Sequence, residues 1–206
     1  MPNAKTTGEN AGPDTGSSMG RGRKKPRRRK PRKASPKSLE NAALYYLKRF
    51  SSSEENLRRV MMRRVERSAR AHGTDREEGA AWVDELVARL ARAGLVDDRR
   101  YAEGRVHALH ARGASIRLIT AKLREKGVPA EIIEESIQAL RDEQPDAELE
   151  AAIRFARRRR IGPFRIKPPV EGRRQKDLAA LARAGFDYGT AMKVADAETE
   201  DALREE

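Results

Sequence analysis

Gly94-Leu95-Val96-Asp97-Asp98-Arg99-Arg100-Tyr101-Ala102 ends one helix and begins another within nine residues. Gly94 suits the position just past a helix, where the backbone turns left-handed. An aspartate of the 97/98 pair can accept the free N–H groups of a helix running from Arg99. Upstream, Trp82, Val83, Leu86, Val87 and Leu90 recur at helical spacing between about Ala80 and Ala93, and downstream Tyr101, Ala102, Val106 and Leu109 do so to about Ala111. The stretch therefore reads as a helix–turn–helix.

The same punctuation continues on both sides. After Gly113, Ser115 precedes a helix with Ile116, Ile119, Thr120 and Leu123 that Gly127 closes, and Val128-Pro129 opens another with Ile132, Ile133, Ile137 and Leu140. Residues 141–146 read as a linker. Before the central stretch, Leu39, Ala43, Leu44 and Leu47 form one helical stripe, and Leu57, Val60, Met61 and Val65 form a second that Ser53 can cap. That pattern dissolves between Ala71 and Gly79. The last third has Ala151, Ile153 and Phe155, a Gly162-Pro163 break, Leu178 and Leu181 before Gly185, and a final helix from Tyr188 with Met192 and Val194. Aligning Ser53…Leu57…Met61 with Ser115…Ile119…Leu123, and Leu123…Gly127 with Leu181…Gly185, gives a period of about 60 residues. The expected fold is all-α: three tandem three-helix, helix-turn-helix-like repeats in an elongated curved array. They span residues 39–96 (with an insertion at about 66–79), 97–141 and 146–197, between a disordered basic arm (1–38) and a frayed acidic tail (198–206).

Composition agrees with thin helical units. In 206 residues, hydrophobic and charged residues are 37% each and aromatics 4%, too few β-branched and aromatic residues for a sheet core. The net charge of +13 is uneven: twelve Lys or Arg against Glu9 and Asp14 place +10 in the first 38 residues and leave +3 for the rest. The run holding Arg23, Lys24, Lys25, Arg27, Arg28, Arg29, Lys30, Arg32 and Lys33 is interrupted by prolines and cannot be a helix. It reads either as a solubilising tail or as a tether that holds nucleic acid in a salt-sensitive, sequence-blind way. With no cysteine, a disulfide framework and a Cys-ligated zinc are excluded, which suits a reducing cytoplasm. No apolar leader or bilayer-length apolar stretch occurs, which places the chain outside the secreted and membrane classes.

Catalytic chemistry finds little support. His107 and His110 stand three apart but lack a third ligand, and they read as surface residues. Asp97 and Asp98 read as caps rather than paired catalytic carboxylates. No phosphate-cradling loop, nucleophile elbow or zinc-protease string occurs, so neither catalysis nor a cofactor is expected. What stands out is cationic: Arg99, Arg100, Arg112, Arg117, Lys122, Arg124 and Lys126 in the central unit, and Arg157, Arg158, Arg159 and Arg160 beside Arg173, Arg174 and Lys176 in the last. These are the candidate contacts to a polyanionic partner, weighed against ordinary solvated helix faces. Few aromatics interleave them, against base stacking as the main mode.

The order of these motifs resembles the RecX family, the bacterial regulators of the RecA recombinase. Gly94-Leu-Val-Asp-Asp-Arg-Arg-Tyr-Ala102 is similar to the family's G-x-x-D-D-x-x-[YF]-A signature; Lys126-Gly127-Val128 and Arg183-Ala-Gly185-Phe186 are similar to its later glycine-closed turns. The resemblance spans about Leu39 to Val194. It departs at Arg105, where members often carry an aromatic residue, and at the insertion. It implies a cytoplasmic, non-enzymatic, monomeric modulator of homologous recombination, DNA repair and the SOS response. Its partner would be the RecA filament on single-stranded DNA, where it would restrain ATP hydrolysis, strand exchange and filament growth, with duplex reached through the arm. The alternative reading is a general DNA-binding or DNA-compacting protein driven by the arm.

Overall fold

The computed structural model of the chain describes residues 31–166 and 171–204. Among them all regular structure is helical: α1 (Pro36–Leu47), α2 (Glu54–His72), α3 (Arg76–Arg92), α4 (Asp98–His110), α5 (Ile116–Glu125), α6 (Ala130–Glu143), α7 (Ala147–Arg159), α8 (Arg173–Arg183) and α9 (Tyr188–Asp196), with 3₁₀ turns at Gly162–Phe164 and Asp201–Leu203. Most helices start where a side-chain oxygen meets the free N–H groups of the first turn. Ser53, Asp97, Ser115 and Asp187 cap α2, α4, α5 and α9. The expected stop at Gly94 holds: its N–H donates to the Ala91 carbonyl at 2.8 Å.

Each set of three helices closes over its own small core. Leu39, Ala43, Leu57, Met61, Val65, Val83, Leu86 and Leu90 fill the first, joined by Val96 from the turn into α4. Tyr101, Val106, Leu109, Ile119, Leu123, Ile133, Ile137 and Leu140 fill the second. The third is built largely from alanines of α7 and α9 around Ile153, Leu181, Val194 and Phe186, with Phe155 and Phe186 rings 5.7 Å apart. One core position is polar. Counting back from the closing glycines Gly185, Gly127 and Gly73, Asp177 stands where α5 has Ile119 and α2 has Val65; it is buried, and Arg165 reaches its Oδ2 through Nη2 at 2.7 Å. A buried carboxylate persists only with such a partner.

Several boundaries differ from the sequence reading. α1 begins at Pro36, not Leu39, because Ser35 and Ser38 form a reciprocal capping box. Ala34 is buried and donates its N–H to Ser68 Oγ at 2.8 Å, so the fold reaches back into the segment expected to be arm. Arg23 to Lys30 lie outside the described residues. Leu44, placed on the α1 stripe, is exposed, and Ala42 takes the inward position. The insertion at 66–79 is mostly helix: α2 runs to His72 and α3 starts at Arg76, capped by Asp75. Gly79, the last residue of the stretch where the helical pattern dissolves, lies inside α3 where a Cβ would come within 2.5 Å of Val65 Cγ1; it lets two long helices cross closely. The linker shrinks likewise, since α6 continues to Glu143. The acidic end is not frayed as far as Arg204: Leu203 is buried in the third core, and Glu200 pairs with Arg157 and Arg204.

Candidate nucleic-acid interface

The cationic helices are held in place by two joints of the same design, one between consecutive units. Ser53 accepts from the Asn56 N–H as the α2 cap while its hydroxyl donates to the Lys126 carbonyl at the end of α5. Ser115 does the same for α5: its Oγ accepts from Leu118 N–H at 3.2 Å and donates to the Ala184 carbonyl at the end of α8, at 2.7 Å. Both serines are fully buried. The following residue is glycine in each case, Gly127 (φ +74°) and Gly185 (φ +95°). A Cβ at Gly127 would meet Glu55 Cβ at 2.6 Å, and one at Gly185 would meet Ser115 Oγ at 2.6 Å. Both the left-handed backbone and the close approach of the neighbouring unit therefore require glycine.

A carboxylate completes each joint. Asp98 Oδ1 accepts from the Glu54 N–H at 2.8 Å, and Glu148 Oε2 accepts from the Ile116 N–H at 2.9 Å, so the first turn of each later unit caps the second helix of the unit before. Burial pushes Asp98 above the usual carboxylate range, with Asp97 adding to it and the Glu54 N–H opposing. Burial does the same to Glu148, against the Ile116 N–H and Arg141, and to Glu54, with Asp98 and Asp97 adding.

His110, expected at the surface, is buried, and its Nε2 donates to the Ala147 carbonyl at 2.7 Å. It is a third tie between the second and third units. His107 stays exposed, 3.9 Å from Glu143. No group of His, Asp and Glu among the described residues could hold a metal ion.

The expected contact residues of the helical units are all on the surface, except that Lys126 is half-buried, and the structure separates them into two kinds. Some are engaged internally. Arg99 pairs with Glu135, Arg100 approaches Asp97, and Lys126 Nζ donates to Asn56 Oδ1 at 3.4 Å. Arg157 pairs with Glu200 and lies over the Phe164 ring, Arg158 donates to the Arg112 carbonyl, Arg173 pairs with Asp177, and Arg174 binds Asp196 through two nitrogens. Others carry no carboxylate partner among the described residues: Arg112, Arg117, Lys122, Arg124, Arg159, Arg160 and Lys176. Arg117 and Arg124, seven residues apart on α5, share one side of that helix. Arg159 rests on the Phe155 ring at 5.8 Å, and Arg160 caps α7 in the left-handed region at φ 59°. The signature residues are structural: Tyr101 and Ala102 belong to the second core, Phe186 to the third, Asp97 caps α4, and Asp98 belongs to the joint. Among the described residues no helix is long and apolar enough to cross a membrane.

Residues 97–137 match the family model for the RecX second three-helix domain. Over 177 residues, 85% of this chain and 91% of the relative, the sequence is 49% identical to the regulatory protein RecX of Myxococcus xanthus (strain DK1622). It is 33% identical to that of Agrobacterium fabrum (strain C58 / ATCC 33970), covering 79% of this chain and 84% of the relative. Among solved structures, that of RecX from Lactobacillus salivarius superposes with a TM-score of 0.56 at 19% identity, covering 77% of this chain and 93% of that one, a likeness of fold.

Proposed function

This chain belongs to the RecX family of regulatory proteins, and on that premise we propose that it modulates, mainly by inhibition, the RecA recombinase, without being an enzyme itself. It binds along the RecA–DNA filament and restrains ATP hydrolysis, strand exchange and filament growth. The observation that carries this reading is the identity of nearly half the residues over nearly the full length of a RecX regulatory protein. The cations Arg117, Lys122 and Arg124 on α5 support it, because charges without internal carboxylate partners are free to meet a partner's carboxylates or phosphates. Several modest contacts along a polymer reinforce one another once the first has formed. Differential affinity for one filament state then shifts the polymer away from its active form. The test is DNA-dependent ATP hydrolysis by RecA: substoichiometric protein is expected to slow it, and an unchanged rate at equimolar protein overturns the reading.

The uneven charge, +10 of +13 in the first 38 residues, favours a second reading, a DNA-compacting protein led by its basic arm. That reading requires tight duplex binding without recombinase, abolished by truncation of the arm. The truncation has to stop at Lys30, because Ala34 and Ser35 belong to the folded part.

A further inference from the structure

The cations of the first unit are sorted by partner. Arg58 pairs with Asp84, Arg59 with Glu55, Arg76 with Glu66 and Arg89 with Glu40. Of the cations there with no carboxylate partner among the described residues, Arg32, Lys37, Arg64 and Arg67 line a single groove of about 480 Å³ between α1 and α2. No acidic side chain among the described residues lines it; its other polar groups include the hydroxyls of Ser35 and Ser38 and the Asn41 amide. Burial, and after it the charge of Arg67, lowers the pKa of Arg64. At one end stands Tyr45, 61% exposed, with the Arg49 guanidinium 5.7 Å from its ring centre.

We infer that the α1/α2 groove is a binding site for a single-stranded nucleic-acid backbone, with phosphates held by Arg64, Arg67, Lys37 and Arg32 and one base against the open face of Tyr45. The occupant is chosen by the lining. A protein segment bound by helices needs pockets for apolar anchors, whereas the apolar lining here is Pro31, Ala34, Leu39, Ala42 and Tyr45, of which Ala34, Leu39 and Ala42 are already buried and only Pro31 and Tyr45 are exposed. Guanidinium groups, a side-chain amide and one exposed ring are instead the parts of a single-strand track. One ring allows one stacked base, so phosphate contacts carry most of the affinity. The site lies in the first unit, on elements other than the cation-bearing α5 and α7, and needs no recombinase.

The experiment is a fluorescence-anisotropy titration of full-length protein with a labelled oligodeoxythymidylate over a series of salt concentrations, with no recombinase present. Each phosphate that a variant no longer neutralises lowers the log–log salt slope by about 0.7 for a single strand, so Arg64→Ala/Arg67→Ala is expected to reduce it by about 1.4 and weaken binding about tenfold at moderate salt. Arg58→Ala/Arg89→Ala, which removes two arginines already paired with carboxylates, is the control and is expected to leave the slope unchanged. Photocrosslinking to an iodouracil-substituted strand is expected to mark Tyr45. An unchanged slope in the groove variant, an equal loss in the control, or crosslinks that avoid Tyr45 each overturn the assignment. Equally tight competition by polyglutamate at the same charge also overturns it, in favour of an acidic peptide. Far-UV circular dichroism on each variant separates weakened binding from a disrupted fold.

Discussion

Asp98 is one carboxylate serving two helices. It lies in the first turn of α4, where a negative charge is favourable, and it accepts the Glu54 N–H of α2 at 2.8 Å. Burial nevertheless raises its pKa, with Asp97 adding to the shift. A carboxyl raised on folding binds protons more readily in the native state, so its contribution to stability is complete below the unfolded pKa and is lost as pH rises through the folded one. At neutral pH the charge on Asp98 is therefore a cost while its oxygen is an asset, and Glu148 has the same sign. Asp187 and Asp196 are opposite. Thr190 and Arg174 hold them below the usual range, so their contribution is present above the unfolded pKa and lost as pH falls through the folded one. Asp98→Asn keeps the acceptor and removes the charge: its melting temperature at neutral pH should equal or exceed that of the wild type, and the difference should shrink as pH falls into the ordinary carboxylate range. Asp98→Ala loses the cap and should cost about 1 kcal/mol. Thermal melts across pH check both; asparagine as damaging as alanine would show that the charge itself holds the joint.

At the level of elements, the joints decide how one three-helix unit meets the next. Ser115→Ala removes the Leu118 cap and strips the Ala184 carbonyl of its donor in one step. The two losses should amount to about 2 kcal/mol, read as a lower urea midpoint with an unchanged slope. Ser53→Ala should match it, because Ser53 makes the same pair of bonds to Asn56 and Lys126. A loss at one serine alone would mean that the two joints are not mechanically equivalent. Helix starts were legible in the sequence because a cap acts on residues two or three positions away: Ser53 and Ser115 could be read directly, and the cap of α4 down to the Asp97/Asp98 pair. The second bond of each serine could not be read, since its acceptor lies 73 residues on for Ser53 and 69 for Ser115. His110 and Gly79 misled for the same reason. Each is explained by its packing on another helix, at Ala147 or Val65, that no local pattern encodes.

For the whole molecule, summed charge is a poor guide to where partners bind. The sequence marks Arg99, Arg157, Arg158, Arg173 and Arg174 as equals of Arg117 and Arg124, yet the first group is occupied by Glu135, Glu200, the Arg112 carbonyl, Asp177 and Asp196. Ion-paired guanidinium groups must break one interaction before making another, so they give less net affinity to a partner than free ones. For a RecX-type regulator the position of the free cations then matters more than their number. Arg117 and Arg124 lie on the same side of α5, whose two ends are fixed by the joints at Ser115 and Lys126, so they are presented on a rigid element. Arg117→Glu/Arg124→Glu should raise the concentration needed to half-inhibit RecA ATP hydrolysis by roughly tenfold, with helicity and melting temperature close to wild type. Arg174→Ala, which breaks the exposed pair with Asp196 on α9, should leave that concentration within about twofold and the melting temperature close to wild type. If the two variants instead lose inhibition in proportion to their net charge alone, α5 is not the contact element, and nonspecific attraction to the filament's DNA accounts for the effect.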